Sequence, residues 1–156
     1  MGTWWTEEDR LASDTQTAYA LAICFDLLDG RRKAAAGDRL AMLVEDAGAR
    51  IASGFAGTPF VCEALSLTGH DEQAYALVMQ RECPSWLYAV EQGATTIWER
   101  WDSMLPDGTV NPGAMTSFNH YALGAVATWL HERVAGPRAV APGRREGIFE
   151  PRPGGG

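Results

Sequence analysis

Residues 13–30 read SDTQTAYALAICFDLLDG and residues 31–51 continue RRKAAAGDRLAMLVEDAGARI. In the first stretch, Tyr19, Leu21, Ala22, Ile23, Phe25, Leu27 and Leu28 cover most of the circumference of a helix from about Thr15 to Leu28. A helix apolar nearly all round is buried on several sides. Ser13 and Asp14 are its cap candidates and Gly30 its end. The second stretch predicts a helix over about Arg32 to Ile51 of a different kind. Leu40, Leu43, Val44, Ala47 and Ile51 form one stripe, while Arg39, Glu45, Asp46 and Arg50 fill the remaining surface. Such a helix buries one face. A buried helix followed at once by an amphipathic one is the unit of a helical hairpin.

The pattern repeats outward. After Gly54-Phe55-Ala56-Gly57 a third helix is expected over about Thr58 to Thr68, with Pro59 in a tolerated first-turn position and Gly69 at its end. A fourth covers about Asp71 to Glu82, and a short piece capped by Ser85 runs to about Gln92. The last clear helix, capped by Ser117, spans about Phe118 to Val134 before Gly136-Pro137 stops it. Between them lies an irregular stretch, Gly93 to Met115, of the length that tends to carry function. Paired helices joined by short turns point to an all-α toroid or solenoid. No solenoid-type repeat register is present. Beyond residue 136 the chain turns rich in Pro, Gly and Arg, and Ile148-Phe149 is expected to begin a strand. The division expected is therefore 1–136, helical, and 137–156, a linker leading into a further domain.

Composition narrows the function. With 156 residues and a net charge of −7, the chain suits one domain or part of one, and it lacks the basic face that nucleic acid requires. No apolar run approaches the roughly 18 residues of a membrane span. Neither nucleic acid nor membrane is an expected partner. Cys24, Cys62 and Cys83 show no CxxC spacing and read as buried free thiols, so neither metal nor cofactor is expected. The N-terminal Met1-Gly2-Thr3-Trp4-Trp5-Thr6-Glu7-Glu8-Asp9 has neither a basic n-region nor an apolar h-region, so a cytoplasmic location is the expectation.

Chemistry concentrates in Trp98-Glu99-Arg100-Trp101-Asp102. Indole faces stack on the C–H faces of sugars, and desolvation by two indoles would raise the carboxylate pKa toward that of a general base. The same residues also read as two core anchors and a glutamate paired with Arg100 or another arginine. His120 falls near a loop mouth, where it can bind substrate, cap a helix or face solvent. His131 stands roughly 16 Å further along a helix, too far to share a metal with it. GxSxG, P-loop, HExxH and EF-hand patterns are absent.

Asp14-Thr15-Gln16-Thr17-Ala18-Tyr19-Ala20-Leu21, Gly54-Phe55-Ala56-Gly57-Thr58-Pro59, Pro84-Ser85-Trp86-Leu87-Tyr88, Gly93-Ala94-Thr95-Thr96-Ile97-Trp98-Glu99-Arg100-Trp101-Asp102 and Ser117-Phe118-Asn119-His120-Tyr121-Ala122 resemble, in order, motifs of the bacterial α-L-rhamnosidases, glycoside hydrolase family 78. The resemblance implies part of an (α/α)6 six-hairpin barrel that hydrolyses terminal α-L-rhamnosides with inversion. It gives Glu99 the general-base role and His120, Trp101, Trp98 and Trp86 substrate contacts, with a rhamnose-containing glycoside as the partner. The family's general acid lies upstream of the first motif, so this chain is expected to supply the base without the acid and to be inactive alone. The strand at Ile148-Phe149 corresponds to the start of the family's C-terminal β-sandwich. Two other readings stay open: a non-catalytic hairpin module that closes a homo-oligomer through exposed apolar faces, and a six-hairpin glycosidase for another sugar.

Overall fold

Residues in left-handed backbone set where the helices stop. The computed structural model describes residues 4–6 and 9–154. Met1–Thr3, Glu7, Glu8 and the last two glycines of the tail, Gly155 and Gly156, lie outside the described residues, and so does most of the N-terminal segment read above for a signal peptide. Helix α1 spans Gln16–Cys24, capped by the Thr15 hydroxyl, which accepts the Ala18 N–H at 3.2 Å. It ends short of Leu28 because Asp26 adopts φ 53°, with Asp26 N–H bonded to Ile23 O and Leu27 N–H to Ala22 O. That is the double closure of a Schellman end, with aspartate where glycine is usual.

Helix α2 spans Gly30–Asp46, with Asp29 as its cap. It stops before Ile51 for the same reason. Gly48 and Ala49 both take positive φ, and their N–H groups return to Glu45 O and Val44 O. Ile51 is nevertheless buried, carried into the core by the non-helical segment that follows. Helix α3, Thr58–Leu67, and α4, Asp71–Met79, are separated by Gly69 at φ 85°. The short α5, Trp86–Glu91, starts from the buried Ser85, whose hydroxyl accepts the Tyr88 N–H at 3.2 Å.

The helix expected from Phe118 begins only at Ala122, as a 3-10 turn over Ala122–Ala125. It continues as α6, Val126–Trp129, and widens to a π-helical turn over Leu130–Val134. Ser117–His120 do not join it because their backbone pairs elsewhere: Glu99 N–H donates to Ser117 O at 2.9 Å and His120 N–H to Ile97 O at 2.8 Å. After Gly136, β1 (Pro137–Ala139) pairs antiparallel with β2 (Gly147–Phe149), so Ile148 and Phe149 do lie in a strand. None of the described helices is long and apolar enough to cross a membrane.

Helix α3 is the centre of the packing, flanked by α1, by α4 and by the Ala122–Trp129 segment, with α2 laid across the back of α1, α3 and α4. Tyr19, Ala20 and Ile23 of α1 meet Val61, Ala64 and Leu65 of α3 in one core, joined by Ala36, Leu40 and Val44 of α2. The α2–α3 approach is close at Gly37, where an added Cβ would stand 2.4 Å from the Thr68 Cβ. Trp129 closes the far side, 4% exposed, its indole N–H donating 2.9 Å to the Ser66 hydroxyl. Arg133 grips Glu63 through Nε at 2.9 Å and through Nη2, tying the π-helical turn to α3. The three cysteines are free thiols; Cys62 is buried, Cys24 and Cys83 half-buried.

Candidate active site

The irregular stretch that follows α5 meets the loop leading into α3, and residues 99–102 and 53–55 line one cleft. Backbone pairing of Ile97–Glu99 with Ser117–His120 brings two sequence motifs together from 18 residues apart, measured between Glu99 and Ser117. The Glu99 side chain completes the pairing. Its Oε2 accepts the Ser117 N–H at 3.1 Å, so the carboxylate is held by backbone at both ends of the residue. Among the described residues Glu99 makes no ion pair. Arg100 turns instead to Asp102, donating from Nε at 2.6 Å and from Nη2 at 3.2 Å.

Glu99 opens into a cleft of about 400 Å³, within the roughly 300–1,000 Å³ range of small-molecule sites. Trp101, Phe55, Met115 and Leu123 supply its apolar lining, and Arg100 and Asp102 its other charged groups. Phe55 reaches the cleft from the loop between α2 and α3. That loop is pinned by Thr58, whose hydroxyl donates to Gly54 O at 2.9 Å. Gly57 lies tight against α1, since a Cβ there would meet Thr17 Oγ1 at 2.4 Å. Only a glycine fits at position 57, and that close approach to α1 fixes the turn that carries Phe55.

His120 lies beside this cleft and does not line it. Its ring stacks on Phe55 at 4.9 Å and on Tyr121 at 5.2 Å, and its Nδ1 accepts the Ala122 N–H at 3.3 Å. That bond leaves Nε2 as the ring N–H, a donor for an incoming hydroxyl. His120 precedes the helix instead of occupying its first turn.

The three tryptophans expected at the site occupy different positions. Trp101 lines the cleft. It also lines a neighbouring apolar pocket of about 320 Å³ together with Trp86, Trp98 and Ile97. Trp98 is 4% exposed, edge-on to Phe118 at 5.3 Å, and builds the wall behind Glu99. Trp86 packs edge-on to Trp101 at 5.3 Å, its indole N–H donating to Leu123 O at 2.8 Å. Thus Glu99 and Trp101 share the cleft, His120 borders it, and Trp98 and Trp86 stand one layer back. Sequence reasoning assigned no site role to Phe55 or Asn111 and read Ser117 as a helix cap. The Gly54–Gly57 bracket was the available signal for Phe55; nothing local marks Asn111, and the contact of Ser117 with Glu99 depends on long-range pairing. Among the described residues no cluster of side chains suits a metal ion.

Stacked helical hairpins with a carboxylate and an indole at one mouth are the build of a six-hairpin glycosidase domain. Residues 2–134 match the family model described as the bacterial alpha-L-rhamnosidase 6 hairpin glycosidase domain, and the chain belongs to that family. It is 44% identical over 151 residues to an alpha-L-rhamnosidase of Streptomyces avermitilis, a match covering 95% of this chain and 14% of the relative. It superimposes on the crystal structure of the native rhamnosidase from Aspergillus terreus with a TM-score of 0.92 and 45% identity, over 97% of this chain and 18% of that one. On the Streptomyces avermitilis enzyme complexed with L-rhamnose the TM-score is 0.91 at 42% identity, over 97% of this chain and 15% of that one. The chain thus spans less than a fifth of the length of these relatives. The fold is the all-α six-hairpin type, of which the described residues form a part.

Proposed function

We propose that this chain forms the general-base side of an inverting glycoside hydrolase that releases terminal α-L-rhamnose. The observation that carries the reading is the placement of Glu99: in a cleft beside an indole, held by the Ser117 N–H, with its nearest arginine paired to another carboxylate. Glu99 takes a proton from a water as that water attacks the anomeric carbon and the bond to the leaving oxygen breaks. Trp101 presents an apolar face to the sugar C–H groups, and His120 Nε2–H donates to a sugar hydroxyl. Phe55 holds the imidazole in place.

An inverting reaction needs a second carboxyl group roughly 6.5–9.5 Å from the base to protonate the leaving oxygen. Asp102 is the cleft's other carboxylate. It sits three residues from Glu99 on the same segment and is engaged by Arg100 and Asn111, so we do not give it that role. Family membership supports rhamnose as the sugar, since the relatives carry that activity in their names.

The test uses a chimera in which residues 4–154 replace the matching segment of the Streptomyces avermitilis relative. Hydrolysis of 4-nitrophenyl α-L-rhamnopyranoside is expected, with Glu99→Gln lowering kcat by about 10²–10⁴-fold while KM changes little. A Glu99→Gln chimera as active as its parent chimera would overturn the proposal.

A further inference from the structure

A base that works as a base must keep its charge free of a fixed cation, and Arg100 follows Glu99 directly in the chain. Guanidinium–carboxylate pairs are among the strongest polar contacts and form readily between neighbours. In this protein each of the three guanidinium nitrogens of Arg100 donates elsewhere. Its Nε and Nη2 donate to the two oxygens of Asp102 at 2.6 and 3.2 Å, and its Nη1 donates to Ala114 O at 3.1 Å. Asn111 Nδ2 donates to Asp102 Oδ2 at 2.8 Å and fixes that carboxylate from the opposite side.

Asn111 is itself held. Its N–H reaches Ser103 O at 2.9 Å, and its Oδ1 accepts the Gly113 N–H at 2.9 Å. The guanidinium lies so close to the loop that a Cβ at Gly113 would stand 2.7 Å from Nη1. This clasp joins the turn after Glu99 to the loop carrying Ala114 and Met115, both of which line the cleft.

We propose that Asp102 is a positioning residue: it holds Arg100 away from Glu99, so the Glu99 carboxylate carries a backbone hydrogen bond and no ion pair. The inference rests on the reading of Glu99 as the base for its functional meaning, though not for its geometry. The titratable groups around Glu99 are few. On its own segment they are Arg100 and Asp102, and on the paired segment His120 and Tyr121; Cys83 lies within reach of the Asp102 charge. The Ser53–Gly57 loop brings none.

The experiment follows the Glu99 carboxyl carbon by NMR through a pH titration of this chain, with the resonance assigned by its absence in Glu99→Gln. In Asp102→Asn the released Arg100 pairs with Glu99. The midpoint of Glu99 then falls by about one pH unit, and the Arg100 Nε resonance tracks it. In Asp102→Glu, which keeps the charge, the midpoint stays native. An unchanged midpoint in Asp102→Asn, or an Arg100 Nε signal indifferent to Glu99 there, overturns the proposal. The native chain gives a reading that needs no variant: Arg100 Nε must respond to the titration of Asp102 and stay silent through that of Glu99, and tracking Glu99 overturns the idea. These titrations read charge placement alone. Hydrolysis by Glu99→Gln reads the base role, so either can fail without the other.

Discussion

Replacing Gln16 with leucine removes polar contacts while nearly preserving volume, and so isolates what holds the cleft loop to the helices. Gln16 is 2% exposed at the start of α1. Its Oε1 accepts the Ala52 N–H at 2.9 Å, and its Nε2 donates to Arg50 O at 3.3 Å and Leu43 O at 3.4 Å. Leu43 O keeps a second donor, the Ala47 N–H at 3.3 Å, so the substitution leaves two backbone groups without their partner. Ala52 is exposed and Arg50 half-buried, so water reaches both groups, and each lost hydrogen bond costs about 0.5–1.5 kcal/mol, a loss of about 1–3 kcal/mol in all. For a domain of this size that is a fall in Tm of about 2–12 °C. Circular dichroism through heat and urea measures it. A loss below about 0.5 kcal/mol would refute the argument, because it would mean that Arg50–Ala52 is held by its apolar neighbours alone. The consequence extends to the site, since residues 50–52 lead straight into Ser53-Gly54-Phe55 of the cleft.

Two further outcomes follow from burial and charge. Asp14 accepts two hydrogen bonds from Arg39, at 3.0 and 2.6 Å, and one from the Tyr19 hydroxyl at 3.0 Å. The Arg39 contact, foremost, draws its pKa from 3.8 down to about 2. A depressed folded-state value stabilises the fold above about pH 4, and that contribution disappears as pH falls through about 2. The shift alone corresponds to roughly 2–3 kcal/mol. With the Asp14 side chain 37% exposed, solvent screening reduces the expected loss in Asp14→Asn to about 1 kcal/mol at pH 7. Urea titrations of both proteins should converge below about pH 2; a gap that persists there contradicts the assignment. For the thiols, burial pushes Cys62 up to about 12 and Cys24 up to about 11, with Glu63 adding to both. Cys62 should resist a thiol reagent at pH 8 until urea unfolds the chain, and rapid labelling of the native protein at Cys62 would contradict the packing of α3.

Much of the fold can be read from apolar spacing. The buried character of α1 and the single stripe of α2 both follow from it, and Leu40 and Val44 point inward as their spacing requires. Helix ends were harder to read. Asp26 closes α1 through a left-handed conformation normally left to glycine, and its sequence context, Phe25-Asp26-Leu27, reads as continuing helix. Gly48 closes α2, although the apolar stripe runs on to a buried Ile51 outside the helix. The start of the last helix failed for a non-local reason. Phe118, Tyr121, Ala122 and Ala125 have helical spacing, but the backbone of Ser117 and His120 is engaged by Glu99 and Ile97, a pairing no local window contains.

The site divides the same way. Glu99 and Trp101 stand out because a carboxylate between indoles is conspicuous in sequence, and the structure puts both in one cleft. Which carboxylate Arg100 would choose could not be read from Glu99-Arg100-Trp101-Asp102, where both lie within reach. Asn111, nine residues on, helps decide it through the 2.8 Å bond to Asp102.

The general-base role of Glu99 is tested most directly by azide rescue in the same chimera. Removing the side chain in Glu99→Ala abolishes activation of water and opens space for an anion that needs no deprotonation. Incubation with an activated aryl α-L-rhamnoside and azide should restore aglycone release and yield the β-configured rhamnosyl azide, identified by NMR. No rescue by azide, or an azide product of retained configuration, would contradict Glu99 as the base of an inverting reaction.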